Sequence, residues 1–415
     1  MHDRRNFLKM SAVGLAGLVA NPNDLLADES KSKKMATVSW KNIEKQFDID
    51  KNINYLNNGT AGLSPKSVQK AVFERMKYIN LHGVYGGLEQ ELLNSLAAHF
   101  GIKSNEIALT HNVTEGINIA AWALPLKSGD EVILTNHEHV GNAVPWLNRQ
   151  KKDGIKVVMA EIKPTAEQTF EEIKSKCTAK TKVIAVPHIT CTLGQILPVK
   201  QLVELAKSRG IKTFIDGAHG AGMLNLDLKE LGCDMYATCG HKWMLGPKGT
   251  GFVYINEELI SELNGIFVGA GSDTRWDISD EMTAIEDYVK TGHRFYYGTQ
   301  NSALYAGWIE AINFFETLGQ DKVEERIRSL NQHLFEGLKS ISTIKILTPE
   351  ETISRCGVVS FLVSNKSDTV MEQFRKDGWI LRFVAESKLD CIRVSTHIYN
   401  TENQIDALLE KLKNA

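Results

Sequence analysis

Residues 212–242 read KTFIDGAHGAGMLNLDLKELGCDMYATCGHK, and two apolar runs within this stretch, KTFID and MYAT, each end beside residues that can do chemistry. The first closes on Asp216, with His219 three residues on; the second leads through Cys239 and His241 into Lys242. Short apolar runs bounded by turn residues read as buried strands. Four more are nearby: EVILT at 131–135, KVVMA at 156–160, KVIAV at 182–186 and GFVYI at 251–255, separated by helix-length segments such as Val199–Arg209. Strands that are apolar throughout are covered on both faces, so the pattern predicts an α/β region with a mostly parallel sheet. Ligands of such sheets sit at the carboxyl ends of the strands. His139, Cys191, Asp216 and Lys242 all fall just after such runs.

Taken singly, Asp216 before Gly-Ala is an ordinary turn into a helix, and Lys242 an ordinary solvated lysine. Together they suit one chemistry. Pyridoxal phosphate needs a lysine amine to form a Schiff base with its aldehyde, and a carboxylate to keep its ring nitrogen protonated. Five motifs follow in order: LTHNVTEGIN (109–118), EHVGNAVPW (138–146), AVPHITCTLG (185–194), DGAH (216–219) and GHKW (240–243). On these motifs the chain, over roughly residues 50–412, resembles the class V branch of the fold-type I pyridoxal phosphate enzymes, which holds the cysteine desulfurases and the isopenicillin N epimerase-like proteins. The resemblance implies a fold-type I transferase. After Thr299 the pattern changes to a long helical stretch, Asn301–Leu318, then further helix and strands, and a final amphipathic helix over Glu402–Leu412. The expected division is a large cofactor-binding domain over 55–300 and a smaller α+β domain from 40–54 and 301–415.

The turn Asn112-Val113-Thr114 opens a helical pattern after a strand. A helix N-terminus offers free N–H groups and a favourable dipole to phosphate, which makes Thr114, with the Val113 backbone, the expected phosphate ligand. The alternative is that Thr114 is a plain N-cap. The resemblance implies the remaining roles. His139 stacks on the cofactor ring, with His137 as its rival; Asp216 faces the ring nitrogen and His219 the ring hydroxyl. His241 holds phosphate and Lys242 is the cofactor-bearing base. Cys191 and Cys239 stand where relatives carry polar residues that touch ring and phosphate. Thr299, in YGTQN, resembles a residue that reaches the phosphate of a neighbouring subunit, which implies a homodimer. Arg393, in IRVSTHIYNT, resembles the arginine that holds the substrate carboxylate, a task its two-pronged fork suits. Its alternative is a strand arginine in a surface ion pair. Asn58, Gly59 and Thr60, in the loop NNGTAG, are expected to line the substrate pocket.

Cysteine desulfurases need a nucleophilic cysteine on a loop shortly before that arginine. Here the segment is LRFVAESKLDCIR (381–393), and its Cys391 reads as a packed strand residue. The expected activity is therefore transamination or epimerisation of an amino acid or a peptide-borne amino group. A C–S lyase or cysteine desulfurase is the alternative, and a non-catalytic ligand-binding protein on the same scaffold is the reading from another class. Retention of Lys242, Asp216 and Arg393 together speaks against the last.

The 415 residues carry a net charge of -2 with no basic block in the body of the chain, which favours a small-molecule or peptide amino substrate over nucleic acid or anionic membrane. The N-terminus reads RRNFLK over Arg4–Lys9, then an apolar stretch over Met10–Ala20 that is too short to span a bilayer. This resembles a twin-arginine export signal, whose pathway carries folded proteins. It implies a signal peptide over 1–27, a polar spacer over 28–39 and a periplasmic enzyme; the alternative is a disordered basic tail on a cytoplasmic one. The six cysteines show no metal or disulfide spacing, so most read as buried free thiols and no metal is expected; in an exported protein some could oxidise, and the sequence does not pair them.

Overall fold

The computed structural model describes residues 39–84, 86–279, 283–364 and 366–414. The twin-arginine-like segment and nearly all of the 28–39 spacer lie outside the described residues. The first strand, β1 (Asn54–Tyr55), is short. The next seven form one sheet: β2 (Ile107–Thr110), β3 (Glu131–Thr135), β4 (Lys156–Ala160), β5 (Thr181–Pro187), β6 (Lys212–Asp216), β7 (Met235–Cys239) and β8 (Gly251–Ile255). Their order across the sheet is β2-β8-β7-β6-β5-β3-β4. The pairs β3/β4, β3/β5, β5/β6 and β6/β7 are parallel, whereas β8 runs antiparallel to both β7 and β2.

The uninterrupted apolar runs have a direct cause in this sheet. Val183 and Ala185 of β5 join one hydrophobic cluster while Ile184 and Val186 join another, and Phe214 and Ile215 of β6 divide in the same way. Successive side chains point to opposite faces, and helices cover both. The sheet reverses its winding between β3 and β5, and the segments that leave their carboxyl ends carry His139 and His188. That crevice is where such sheets place ligands.

A hairpin of β9 (Trp276–Ile278) and β10 (Thr283–Ile285) follows, then helices Ser302–Leu318 and Gln320–Lys339. The second sheet contains β11 (Ile344–Ile346), β12 (Val358–Val363), β14 (Arg382–Val384) and β15 (Cys391–Ser395), in the order β11-β12-β15-β14. Strand β13 (Trp379–Ile380) pairs in parallel with β1, which ties the segment before residue 55 to this smaller region. One of its faces buries Val359, Phe361, Ile392 and Val394 against Leu334 and Leu338 of the second helix and Ile405 and Leu408 of the last, Glu402–Lys413. Helix Ser302–Leu318 follows the expected boundary at 300/301 and packs toward the large sheet. Its Tyr305, Trp308, Ile309 and Ile312 sit in a core cluster of the large sheet, because its apolar stripe is wide enough to need that cover.

Candidate active site

Four helix or strand ends and one loop meet at a cavity of about 300 Å³ lined by Thr60, Thr114, His139, Asp216, His241 and Lys242 among others. Helix Val113–Ala123 points its N-terminus at it. Asn112 is the cap of that helix, its side chain accepting from the Glu115 N–H at 3.0 Å. Thr114 is therefore not the cap, and its hydroxyl is left for other partners. The N–H groups of Val113 and Thr114 lie in the first turn, where no intrahelical acceptor exists. Helix Val140–Asp153 begins alongside: a Cβ on Gly141 would lie 2.6 Å from Thr114 Oγ1, so only glycine allows the approach.

His139 caps that second helix, its Nδ1 accepting from the Gly141 N–H at 3.0 Å, and this leaves the proton on Nε2. Burial, then the nearby Lys242 charge, pushes its pKa down to about 4, so the ring is neutral. His137, its rival, turns away to bond Thr192 Oγ1 at 2.8 Å. Glu138 between them braces the turn, accepting from the Thr135 N–H at 2.9 Å and from Asn142 Nδ2 at 2.7 Å.

Asp216 ends β6 and is 4 % exposed, with one oxygen held by the Ala218 N–H at 2.9 Å. Burial raises its pKa while the Ala218 bond and the Lys242 charge oppose that rise. His219 accepts at Nδ1 from the Trp243 indole N–H at 3.2 Å, so its Nε2 carries the hydrogen; burial holds it well below the usual histidine range. Cys239 also lines the cavity, its thiol pushed up to about 11 by burial. His241 lines it too, with Nδ1 buried and unpartnered. Lys248, further along the same turn, is exposed.

The loop 57–62 closes the cavity from the N-terminal side. The Gly62 N–H donates to the His241 carbonyl at 2.7 Å, and a Cβ on Gly62 would lie 2.0 Å from the Lys242 carbonyl oxygen. Gly59 and Thr60 line the cavity, but Asn58 does not: it is buried and accepts from the Tyr399 hydroxyl at 2.8 Å.

Arg393 on β15 is fully buried, stands behind the cavity wall without lining it, and among the described residues forms no ion pair. Its guanidinium donates to the Cys191 carbonyl at 2.8 Å, Thr60 Oγ1 at 2.9 Å and Asn57 Oδ1 at 3.3 Å, all neutral acceptors. Burial, followed by the charge of Arg382, lowers its pKa to about 10. Cys191 thus enters the site through its backbone, as the acceptor for Arg393, and its side chain does not line the cavity. Thr299 is exposed and outside the cavity of its own chain. Arg382 does line the cavity and was missed in the sequence. The available signal was a lone charged residue inside the apolar run WILRFV.

The sequence model described as Aminotransferase class-V matches residues 89–408, more than three-quarters of the chain. The chain belongs to the class-V aminotransferase family. A probable cysteine desulfurase of Pyrococcus abyssi is 28 % identical over 392 residues, covering 89 % of this chain and 96 % of its own. The isopenicillin N epimerase of Amycolatopsis lactamdurans is 28 % identical over 399 residues, covering 91 % and 99 %. Among solved structures, a C-DES mutant with glycine covalently linked to its PLP cofactor superposes with a TM-score of 0.82 at 26 % identity, over 89 % of this chain and 99 % of the other. C-DES is described as a cystine C-S lyase in its complex with cysteine persulfide, which matches at a TM-score of 0.80 and 27 % identity over 88 % and 98 %.

This class-V chain is thus an enzyme of a pyridoxal phosphate-dependent family with the fold-type I architecture. Its own residues fit that cofactor: a helix N-terminus and an unpartnered His241 Nδ1 suit a phosphate, and a buried acid and a lysine share the same cavity. Among the described residues no cluster of His, Cys, Asp and Glu could hold a metal ion, and no helix is long and apolar enough to cross a membrane. The six cysteines are unpaired, five of them buried.

Proposed function

We propose that this enzyme binds pyridoxal phosphate in the cavity and moves the α-proton of an amino acid or a peptide-borne amino group, by transamination or epimerisation. One observation carries the reading. Arg393 is a fully buried cation with neutral hydrogen-bond partners; it stands behind the cavity wall, and its partner Thr60 lines the cavity. Such a group is costly unless an anion joins it. A substrate α-carboxylate that reached it past Thr60 would be that anion. Bound in the cavity, the cofactor supplies an aldehyde carbon for an amine and an electron-withdrawing ring.

The chain's residues do the rest. The Val113 and Thr114 N–H groups, the Thr114 hydroxyl and His241 hold the phosphate. Asp216 keeps a proton at the ring nitrogen, where opposite charges at short range hold each other. Neutral His139 would bear on the cofactor ring, and His219 would donate to it from Nε2. Lys242 Nζ would hold the cofactor's aldehyde carbon and would serve as the base that takes the α-proton and returns it.

C–S lysis is the second reading, supported by the names of the desulfurase and lyase relatives. Against a desulfurase stand the thiols: burial raises all six, Cys239 to about 11 and both Cys356 and Cys391 to about 12, so none has the lowered pKa of a ready nucleophile, and of the six only Cys239 lines the cavity. Export by the twin-arginine pathway is proposed on Arg4-Arg5, and a homodimer on exposed Thr299 together with exposed Phe267, Trp276 and Ile278.

The test is the visible spectrum of purified protein with a panel of amino acids. A cofactor band that Lys242→Ala abolishes establishes the attachment. Keto acid in the supernatant marks transamination, exchange of the α-hydrogen without keto acid marks epimerisation, and sulfide from cysteine or cystine marks lysis. A protein that stays colourless with added pyridoxal phosphate sinks the proposal.

A further inference from the structure

Arg382 and Arg393 are directly opposite each other in the antiparallel pairing of β14 with β15. Opposed residues share one face of a sheet with their Cβ atoms roughly 5 Å apart, and like charges so placed repel. Arg393 feels this, since Arg382 is the second cause of its lowered pKa after burial. An anion placed between or above the two relieves that repulsion. Here the cavity is there to receive one, and Arg382 lines it.

The two guanidiniums differ in their partners. Arg393 has no carboxylate, whereas Arg382 donates to Glu386 four residues on. Glu386 is held there by a turn in unusual backbone: Ser387, Lys388 and Asp390 have φ of 55°, 55° and 46°, a region non-glycine residues seldom enter. Ser387 Oγ also donates to the Asn136 carbonyl at 2.6 Å, which anchors the turn to the segment leading into His139. The Arg382 and Glu386 side chains remain 22 % and 32 % exposed, so their pair opens onto solvent and can exchange.

We propose that Arg382 is an anchor for a second carboxylate on the substrate, so that the enzyme prefers an amino acid with an acidic side chain, and that Glu386 occupies this anchor until the substrate displaces it. The inference rests on the reading of Arg393 as the α-carboxylate site and names the substrate class of that same cavity. No covalent step is involved. One carboxylate replaces another on the same guanidinium, and the displaced Glu386 turns to water.

The experiment uses the pyridoxal phosphate-loaded full chain and follows the spectral change and turnover with L-aspartate, L-glutamate, L-cystine, L-alanine and L-leucine. Expected is a kcat/KM for aspartate or glutamate at least about 30-fold above alanine and leucine, the worth of one charge-assisted pair. Arg382→Met should raise KM for the acidic substrate about 10-fold or more and compress the acidic-to-neutral ratio, with the cofactor band retained. Glu386→Gln should do the reverse, lowering KM for the acidic substrate by removing its competitor. That rescue-type gain is a readout a purely structural ion pair would not produce, because breaking such a pair lowers stability from either side. Equal kcat/KM for acidic and neutral amino acids overturns the inference while leaving the enzyme reading intact, as does an Arg382→Met variant that loses all substrates in proportion. A preference for cystine alone also overturns it, since the second carboxylate then belongs to a disulfide substrate. No response to any of the five amino acids, with the cofactor band present, overturns this inference and the free-amino-acid reading of the site, whereas failure to bind pyridoxal phosphate at all overturns the proposed function itself.

Discussion

At the residue scale, Arg393 separates two ways of reading an arginine in a strand. A surface ion pair contributes little and tolerates lysine; a buried fork spread over three neutral acceptors does not. Arg393→Lys keeps the charge and loses the fork, so KM for the preferred amino acid should rise about 10- to 100-fold while the cofactor band stays. Steady-state kinetics beside a thermal melt check this. An unchanged KM would return Arg393 to a structural role. The same residue shows what a sequence can reveal. Its neighbours IYNT mark it as a candidate, as the company of Asp216 and Lys242 marks those two. Arg382 carries no such marker, because its importance comes from the register that sets it opposite Arg393. Register is a long-range property, and no spacing along the chain encodes it.

At the scale of elements, the N-terminus of helix Val113–Ala123 depends on one side chain. Asn112→Ala removes the acceptor for the Glu115 N–H and should cost about 1 kcal/mol of stability. It should also loosen the first turn that presents the Val113 and Thr114 N–H groups, and so speed the loss of pyridoxal phosphate on dialysis. Helix Ala166–Lys176 supplies a control, because its cap Thr165 accepts from the Gln168 N–H at 3.2 Å and no residue of that helix lines the cavity. Thr165→Ala should lower the melting temperature comparably without changing cofactor retention. If both variants lose cofactor alike, the effect is global and the phosphate role of this helix end fails. The six apolar runs were legible as strands because burial on both faces leaves nothing polar to break them. The capping of the helix was harder to see, because Asn112 and Thr114 are both good cap residues and only the backbone distinguishes them.

At the scale of the whole molecule, several histidines are folded in as neutral groups. Burial pushes His188 down to about 4 and His397 to about 3, both far below the usual value of 6.5. At these two rings the unfolded chain binds more protons than the folded one between pH 6.5 and about 4, so their contribution to stability falls as pH drops through that window, while Glu138, raised to about 7 by burial, opposes them with one proton. Urea midpoints measured from pH 7.5 down to 4.5 should decline below about pH 6.5, and His188→Gln should flatten the slope. An unchanged slope in His188→Gln would contradict the neutral burial of that ring. The division of the molecule was only partly legible. The helical pattern after residue 300 is plain, but which sheet its apolar face covers is settled by Trp308 and Ile312 packing with residues 100 or more positions away, such as Phe100.

The loop 57–62 is bonded at one end to the carbonyl of His241 and at the other to Ser395, which accepts from the Asn58 N–H through its carbonyl and from the Gly59 N–H through its hydroxyl. Its partners thus come from segments far along the chain, so the substrate side of the cavity is completed only when distant parts of the sequence have packed together. A chain truncated before β15 should keep the groups at 113–242 proposed to hold pyridoxal phosphate, yet lose both the loop's anchor and Arg393, and so separate cofactor retention from substrate recognition.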